Sequence, residues 1–316
     1  MDRGQALRHR LYNALQSAAL LAAMAAIAGL VGWLIAGVEG LVWFAALVPL
    51  ALALGPKLSP QLVLRAYGAR EIAPFLAPDL YALAQTLARR AELPTVPRLY
   101  YVPSAALNAF TVGNRSSAAI ALTDGLLRSM TPRELAGVLA HEIAHVVNND
   151  IWVMQLADVV SRMTAFLSLA GLMLLAVALP VAFVAGYETP WVALLVLATA
   201  PHLATLLQLG LSRVREYDAD RLAAELTGDP LGLASALEKL ERRHRSWFEQ
   251  IFFPGRHAPE PAVLRTHPPT RERIRRLLAL AQVPSASWGV SWDLPLLRQL
   301  PPVTRSSRWR IHGHWH

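Results

Sequence analysis

Four stretches of 17 or more residues contain no charged residue, and they set the first expectation. Leu11 to Val38 is long enough, at 1.5 Å of helical rise per residue, to cross about 30 Å of hydrocarbon. It is too long for the apolar region of a cleaved signal peptide and predicts a membrane anchor. After Glu39 a second run extends from Gly40 to Pro56; it is short and carries Pro49, so it predicts either a span or a re-entrant segment. The third run covers Met163 to Tyr187 and the fourth Thr189 to Ser212. The loops within the two predicted hairpins hold Glu39 and Glu188 and no Lys or Arg. Arg3, Arg8, Arg10, Lys57, Arg65, Arg162, Arg213 and Arg215 lie on the other side. The positive-inside bias then places both termini and both polar stretches in the cytosol, with four spans.

The polar stretches show shorter periods. Ala77-Pro78-Asp79 opens a predicted helix to about Leu93, with Leu80, Leu83, Ala84 and Leu87 on one stripe. Arg98 to Val102 predicts a strand. Ala109 to Gly113 and Ala118 to Leu122, joined through Asn114-Arg115-Ser116-Ser117, predict a β-hairpin. Thr131-Pro132-Arg133-Glu134 combines a capping residue, a proline at the first helical position and the acid of a capping box; this helix is expected to continue at least to Asn148. Ser212 to Leu226 predicts another helix, stopped by Gly228. Asp229-Pro230 starts one to about Phe248, and a basic helix covers about Pro269 to Ala281. Between the last two lies a Pro- and Gly-rich loop, and beyond Pro284 the chain has no clear period.

Composition sharpens this picture. Hydrophobic residues make up 54% and charged residues 16% of the 316, where soluble domains carry about 25% charged. The mean hydropathy of +0.34 argues against disorder and against an ordinary cytosolic enzyme. The net charge of +8 reads as the positive-inside bias and attraction to anionic headgroups, not nucleic-acid binding, because no nucleic-acid-binding module accompanies it. There is no cysteine, so disulfides, thiol nucleophiles and thiolate metal sites are excluded. A transition metal would have to be held by His, Asp or Glu.

Such a set exists. His141-Glu142-Ile143-Ala144-His145 is HEXXH on the capped helix. Residues four apart project from one helix face, so two imidazoles there can hold one Zn²⁺, with Glu142 in reach of a bound water. A catalytic zinc needs a third protein ligand and an open position. Asn148 and Ile151 stand where HEXXHxxGxxH would have Gly and His, and that class is excluded. Asp150 is poorly placed as the third ligand, since five residues past His145 turns it well off the metal face. Glu216 and Asp220, four apart in Ser212-Arg213-Val214-Arg215-Glu216-Tyr217-Asp218-Ala219-Asp220, offer a ligand and an acceptor for the far ring nitrogen of a zinc-bound histidine.

HEIAH, SRVREYDAD and Thr266-His267-Pro268-Pro269-Thr270-Arg271-Glu272-Arg273 together resemble the HtpX-like membrane zinc metallopeptidases, relatives of the CAAX prenyl endoproteases. Asn108-Ala109-Phe110-Thr111-Val112-Gly113 is similar to that family's NAF segment. The resemblance covers roughly Leu11 to Ala281. It implies one Zn²⁺ per chain on His141, His145 and Glu216, Glu142 as catalytic base, and Asp220 behind a ligand. His267 and Arg273 are its candidates for stabilising the oxyanion. An extended substrate is expected to bind as an added strand near Asn108, Ala109 and Phe110, although an ordinary structural hairpin would read the same. The implied fold is α+β: a mostly helical integral membrane protein with four transmembrane helices and a zincin-like cytoplasmic domain containing a small β-sheet. The expected organisation is a membrane hairpin (1–56), the first catalytic part (57–161), a second membrane hairpin (162–211), the second catalytic part (212–283) and a tail (284–316). The implied role is degradation of misfolded or damaged membrane proteins at the cytoplasmic face of the bacterial inner membrane. Expected partners are polypeptide substrates and the lipid bilayer, with no nucleic acid.

Two other readings stay open on sequence alone. An intramembrane protease would carry HEXXH inside a span, but Arg133, Glu134, Asn148, Asn149 and Asp150 flank the motif and favour water. A scaffold with structural zinc would need four closed ligands, and only three strong ones are visible. The tail's Trp288, Trp292, Trp309 and Trp315 could dock on the membrane interface or pack back on the domain.

Overall fold

A computed structural model describes residues 3–54, 60–188, 190–251 and 270–281; His267 and the tail 284–316 lie outside the described residues. The chain forms two compact units, each built from two separate pieces of sequence. Among the described residues, one comprises 3–54 with Trp152–Arg215, the other 60–151 with 216–251 and 270–281.

The first unit holds α1 (Arg3–Leu54), most of α6 (Asp150–Val184) and the first part of α7 (Trp191–Thr227). These three helices are the ones, among the described residues, long and apolar enough to cross a membrane. The first two uncharged runs are thus joined in one helical element, which is broken internally. Ala36 and Gly37 leave the helical region, Gly37 at a φ of 60° that only glycine takes freely. The arms then fold against each other: a Cβ on Gly40 would collide with the carbonyl of Gly32, and Phe44 packs into one cluster with Met24 and Ala28. The reversal therefore falls at Ala36–Gly37, ahead of Glu39, because backbone freedom and not charge sets where a helix can turn. Large apolar side chains such as Val177, Phe183, Val184 and Trp191 face outward, as lipid contact requires and water does not favour.

The second unit carries a four-stranded sheet in the order β1-β2-β4-β3, with β1 Arg70–Glu71, β2 Arg98–Val102, β3 Ala109–Val112 and β4 Ala119–Thr123. β2 and β4 run parallel, with Leu99 opposite Ile120; β3 runs antiparallel to β4, with Ala109 opposite Leu122. β4 is buried throughout, whereas β3 lies at an edge and is half-buried along its length. The β3–β4 turn forms as its residues dictate. The Asn114 side chain accepts from the Ser116 and Ser117 amides, and Gly113 adopts a φ of 95°. Short elements α2 (Pro60–Ala66), β1 and α4 (Asp124–Ser129) were not anticipated.

Around the sheet pack α3 (Pro78–Arg90), α5 (Pro132–Val147), the end of α7, α8 (Pro230–Ile251) and α9 (Thr270–Ala281). Their shared core includes Leu80, Leu87, Leu99, Ile120, Leu135, Leu139, Ile143, Ala223, Leu233 and Leu277. α5 begins with the capping box: the Glu134 amide donates to the Thr131 hydroxyl, and the Thr131 amide donates to the Glu134 carboxylate. It ends where expected, at Val147 with Asn148 as its cap, and Asn149 takes a left-handed φ of 58° before α6 opens at Asp150. The predicted helix Ser212 to Leu226 is the continuation of α7.

Candidate metal centre

α5 is buried over its middle turns, which puts His141 and Glu142 in the interior with His145 one turn on. The two imidazole rings stand edge to face, and their Nε2 atoms lie 3.0 Å apart. From α7, the Glu216 carboxylate places Oε2 3.5 Å from His141 Nε2 and Oε1 3.7 Å from His145 Nε2. Ligand atoms held tetrahedrally at 2.0–2.2 Å from one zinc ion are about 3.3–3.6 Å from each other. The three side chains approach that spacing, with one ligand atom from each within 4.8 Å of the others, and they form a group able to hold one ion.

The outer faces of the imidazoles meet acids. Asp220 Oδ1 lies 3.0 Å from His141 Nδ1, and His145 Nδ1–H donates to Asp150 Oδ2 at 2.6 Å. The carboxylate hydrogen-bonded behind His145 favours the tautomer with a lone pair on Nε2, and Asp220 stands close behind His141. Arg273, 4% exposed, enters from α9. Its Nε and Nη2 donate to the two Asp220 oxygens at 2.7 and 2.6 Å, Nη1 lies 2.9 Å from Glu216 Oε2, and Nη2 is 3.4 Å from His141 Nε2.

The charge balance points the same way as the spacing. Glu142, Asp150, Glu216 and Asp220 are buried with Arg273 as the guanidinium among them. Burial by itself would lower the His141 pKa, yet Asp220 and Glu216 outweigh it and push the ring up to about 10. The buried carboxylates outnumber the Arg273 guanidinium, and the donor set of two imidazoles and one carboxylate suits a divalent ion, so the residues present fit a metal.

Glu142 is placed from its other side by the sheet. Thr111 on β3 donates through Oγ1 to Glu142 Oε2 at 2.6 Å. Asn108 is pinned to the end of β4, its carbonyl accepting from the Thr123 amide and hydroxyl and its amide donating back to that hydroxyl. Phe110 turns to the opposite face of β3 and its ring packs 4.9 Å from that of Tyr67. Strand β3 therefore pairs with β4 on one edge and sends Thr111 to the HEXXH glutamate.

The structure brings His141, Glu142, His145, Glu216, Asp220 and Arg273 into one cluster and sets the Asn108–Phe110 segment beside it; His267 falls outside the described residues. Sequence reasoning weighed Asp150 only as a ligand and set it aside, and it gave Thr111 no role. The signal for Asp150 was Asn148-Asn149, since asparagine tolerates the left-handed turn that ends a helix. The signal for Thr111 was weaker: a polar residue at an alternate position of a strand expected to lie beside the motif.

Residues 74–281 match the model of Peptidase family M48. The chain is 40% identical over 288 residues to "Protease HtpX homolog" of Acaryochloris marina, covering 85% of this chain and 95% of that protein. Proteins of the same name from Methylibium petroleiphilum (35%; 85% and 98% covered) and Salinibacter ruber (38%; 85% and 98% covered) are similarly close. A solved structure titled "Crystal Structure of S. mikatae Ste24p" overlays with a TM-score of 0.48 at 20% identity, over 86% of this chain and 67% of that one.

Proposed function

The chain belongs to peptidase family M48, and from that footing we propose that it is a zinc-dependent endopeptidase of the bacterial inner membrane that cuts misfolded or damaged membrane proteins at the cytoplasmic face. Family membership makes it a metalloprotease with polypeptide substrates. The observation that carries the zinc assignment is the convergence of two imidazole Nε2 atoms, 3.0 Å apart, on one carboxylate, with one ligand atom from each of the three residues within 4.8 Å of the others.

Zinc, when bound, supplies a water acidic enough to lose a proton near neutrality and a positive centre for a polarised carbonyl oxygen. His141, His145 and Glu216 would hold it and leave one position open. Glu142 takes the proton of the attacking water and delivers it to the leaving amine. Because Oε2 already accepts from Thr111, Oε1 is the oxygen assigned to the proton. Arg273 keeps its positive charge beside His141 Nε2 and, with His267, is assigned to the developing oxyanion, where a well-placed donor contributes about 3–4 kcal/mol. The outer edge of β3, at Asn108, Ala109 and Phe110, receives the substrate as an added strand. Main-chain hydrogen bonds select for extended backbone and little for side chains, which suits a protease of unfolded segments.

The same elements support the membrane arrangement we propose. The reversal in α1 supports one hairpin and the α6–α7 pair a second, for four crossings in which Glu39, just past the first reversal, and Glu188, at the second, face away from the cytosol. The domain organisation we propose is 1–56 and 162–211 in the membrane, 57–161 and 212–283 forming the zincin-like catalytic domain, and 284–316 as the tail.

The test is Glu142→Gln in the full-length protein. It is expected to bind zinc at one per chain and to lose casein cleavage, while the unaltered enzyme loses cleavage on chelation. Full cleavage by the Glu142→Gln protein would remove the base from this scheme. Comparing membrane proteomes of cells carrying the active or the Glu142→Gln enzyme then identifies substrates by their accumulation.

A further inference from the structure

We propose that Asp150 is a positioning residue of the metal centre: its carboxylate fixes the tautomer and orientation of His145 that aim Nε2 at the ion. The inference rests on the metallopeptidase reading above and assigns a role that this reading does not contain.

Three observations carry it. The contact is short and charge-assisted, with Asp150 Oδ2 2.6 Å from His145 Nδ1, at the tight end of such bonds. Asp150 is 4% exposed, and an ionised carboxylate is kept that far from water only where it is hydrogen-bonded or paired. Finally, the backbone departs from regular helix to make the contact. On a continuous α5, five residues at about 100° each would leave Asp150 roughly 140° around from His145. Instead α5 ends at Val147 and Asn149 adopts a φ of 58°, a conformation uncommon outside glycine. The chain folds back by this turn, and Asp150 meets the outer nitrogen of the ring. The result matches the other side of the site, where Asp220 stands 3.0 Å from His141 Nδ1. Each imidazole is then backed by its own carboxylate, one from the start of α6 and one from α7.

The competing explanation is structural. Asp150 lies in the first turn of α6, where a negative charge complements the helix dipole. That role would make Asp150 matter for stability but not for the metal. The two are separated with full-length protein in detergent, stripped of metal, comparing the natural chain with Asp150→Ala and Asp150→Asn. Zinc affinity is read by competition with a chromophoric chelator, the ligand field by the visible absorption of the Co²⁺-loaded protein, and folding by thermal melting without metal. The positioning role predicts zinc binding about 10–100-fold weaker in Asp150→Ala, altered Co²⁺ bands at saturation, and an intermediate Asp150→Asn, which keeps an acceptor but not the charge. Zinc affinity within about twofold of the natural chain, with unchanged Co²⁺ bands, would overturn it even if melting fell. If Asp150→Ala does not fold, Asp150→Asn decides on the same two readouts. If the natural chain itself takes up no zinc or cobalt, the metallopeptidase reading fails first and takes this role with it.

Discussion

At the scale of single residues, the site divides by how far apart its parts lie in sequence. His141, Glu142 and His145 were legible because one helix fixes their geometry, and a local capping signal identified that helix. Glu216 and Asp220 were legible as a pair for the same reason, although nothing local says which histidine they approach. Thr111 and Asp150 were not, because their contacts depend on how a strand lies beside a helix and on a left-handed turn at Asn149. Thr111 gives a testable consequence. Its hydroxyl donates to Glu142 Oε2 at 2.6 Å, and a hydrogen bond to a charged group contributes about 1.5–3 kcal/mol. Thr111→Val keeps the shape and the strand preference but removes the donor. We expect kcat to fall about tenfold or more, since 1.4 kcal/mol corresponds to a factor of ten, with zinc content unchanged. A kcat equal to that of the natural enzyme would show that Glu142 needs no such partner.

At the scale of elements, local chemistry predicted what local chemistry controls. The capping box at Thr131 and Glu134 and the Asn-Ser-Ser turn after β3 formed as read. α2, β1 and α4 escaped notice because each is about two turns or fewer and is stabilised by its neighbours. The parallel pairing of β2 with β4 could not be read either, since no single stretch of sequence carries it. Close approach of α5 and α8 is another such feature. A Cβ on Gly137 would sit 2.8 Å from the Leu233 backbone nitrogen and 2.9 Å from its Cα. Two effects then compete in Gly137→Ala. Helix propensity favours alanine by about 1 kcal/mol, while overpacking against backbone that cannot rotate away costs about 1–3 kcal/mol. The clash wins because the neighbour is main chain, so the melting temperature of Gly137→Ala should fall. A rise would mean that α8 shifts at little cost. Since α5 carries His141, Glu142 and His145, activity should drop beyond what the loss of folded protein explains.

At the scale of the whole molecule, each unit is assembled from two pieces of chain, and the chain crosses between them three times, near residues 57, 151 and 215. Hydropathy located the apolar pieces but not the bend within α1, where two glycines allow the arms to meet. It also did not reveal that α7 runs unbroken from Trp191 to Thr227, past the end of the uncharged run at Ser212 and on through Glu216 and Asp220. That continuity makes the sidedness of the proposed membrane hairpins a strong test of the proposed function: if α7 crosses the bilayer, its Trp191 end and its ligand-bearing end lie on opposite sides. The chain has no cysteine, so one introduced thiol reports on one place without background. With Glu188→Cys, a membrane-impermeant maleimide added to intact spheroplasts should label the protein. With Arg115→Cys, in the turn between β3 and β4, labelling should appear only after lysis. Protection of both thiols in spheroplasts would mean that the α6–α7 tip does not cross, and reaction of both would put the substrate strand outside. Either pattern would break the link between the positive loops and a cytoplasmic site, whereas Glu188→Cys labelling alone would fix the face on which Glu142 works.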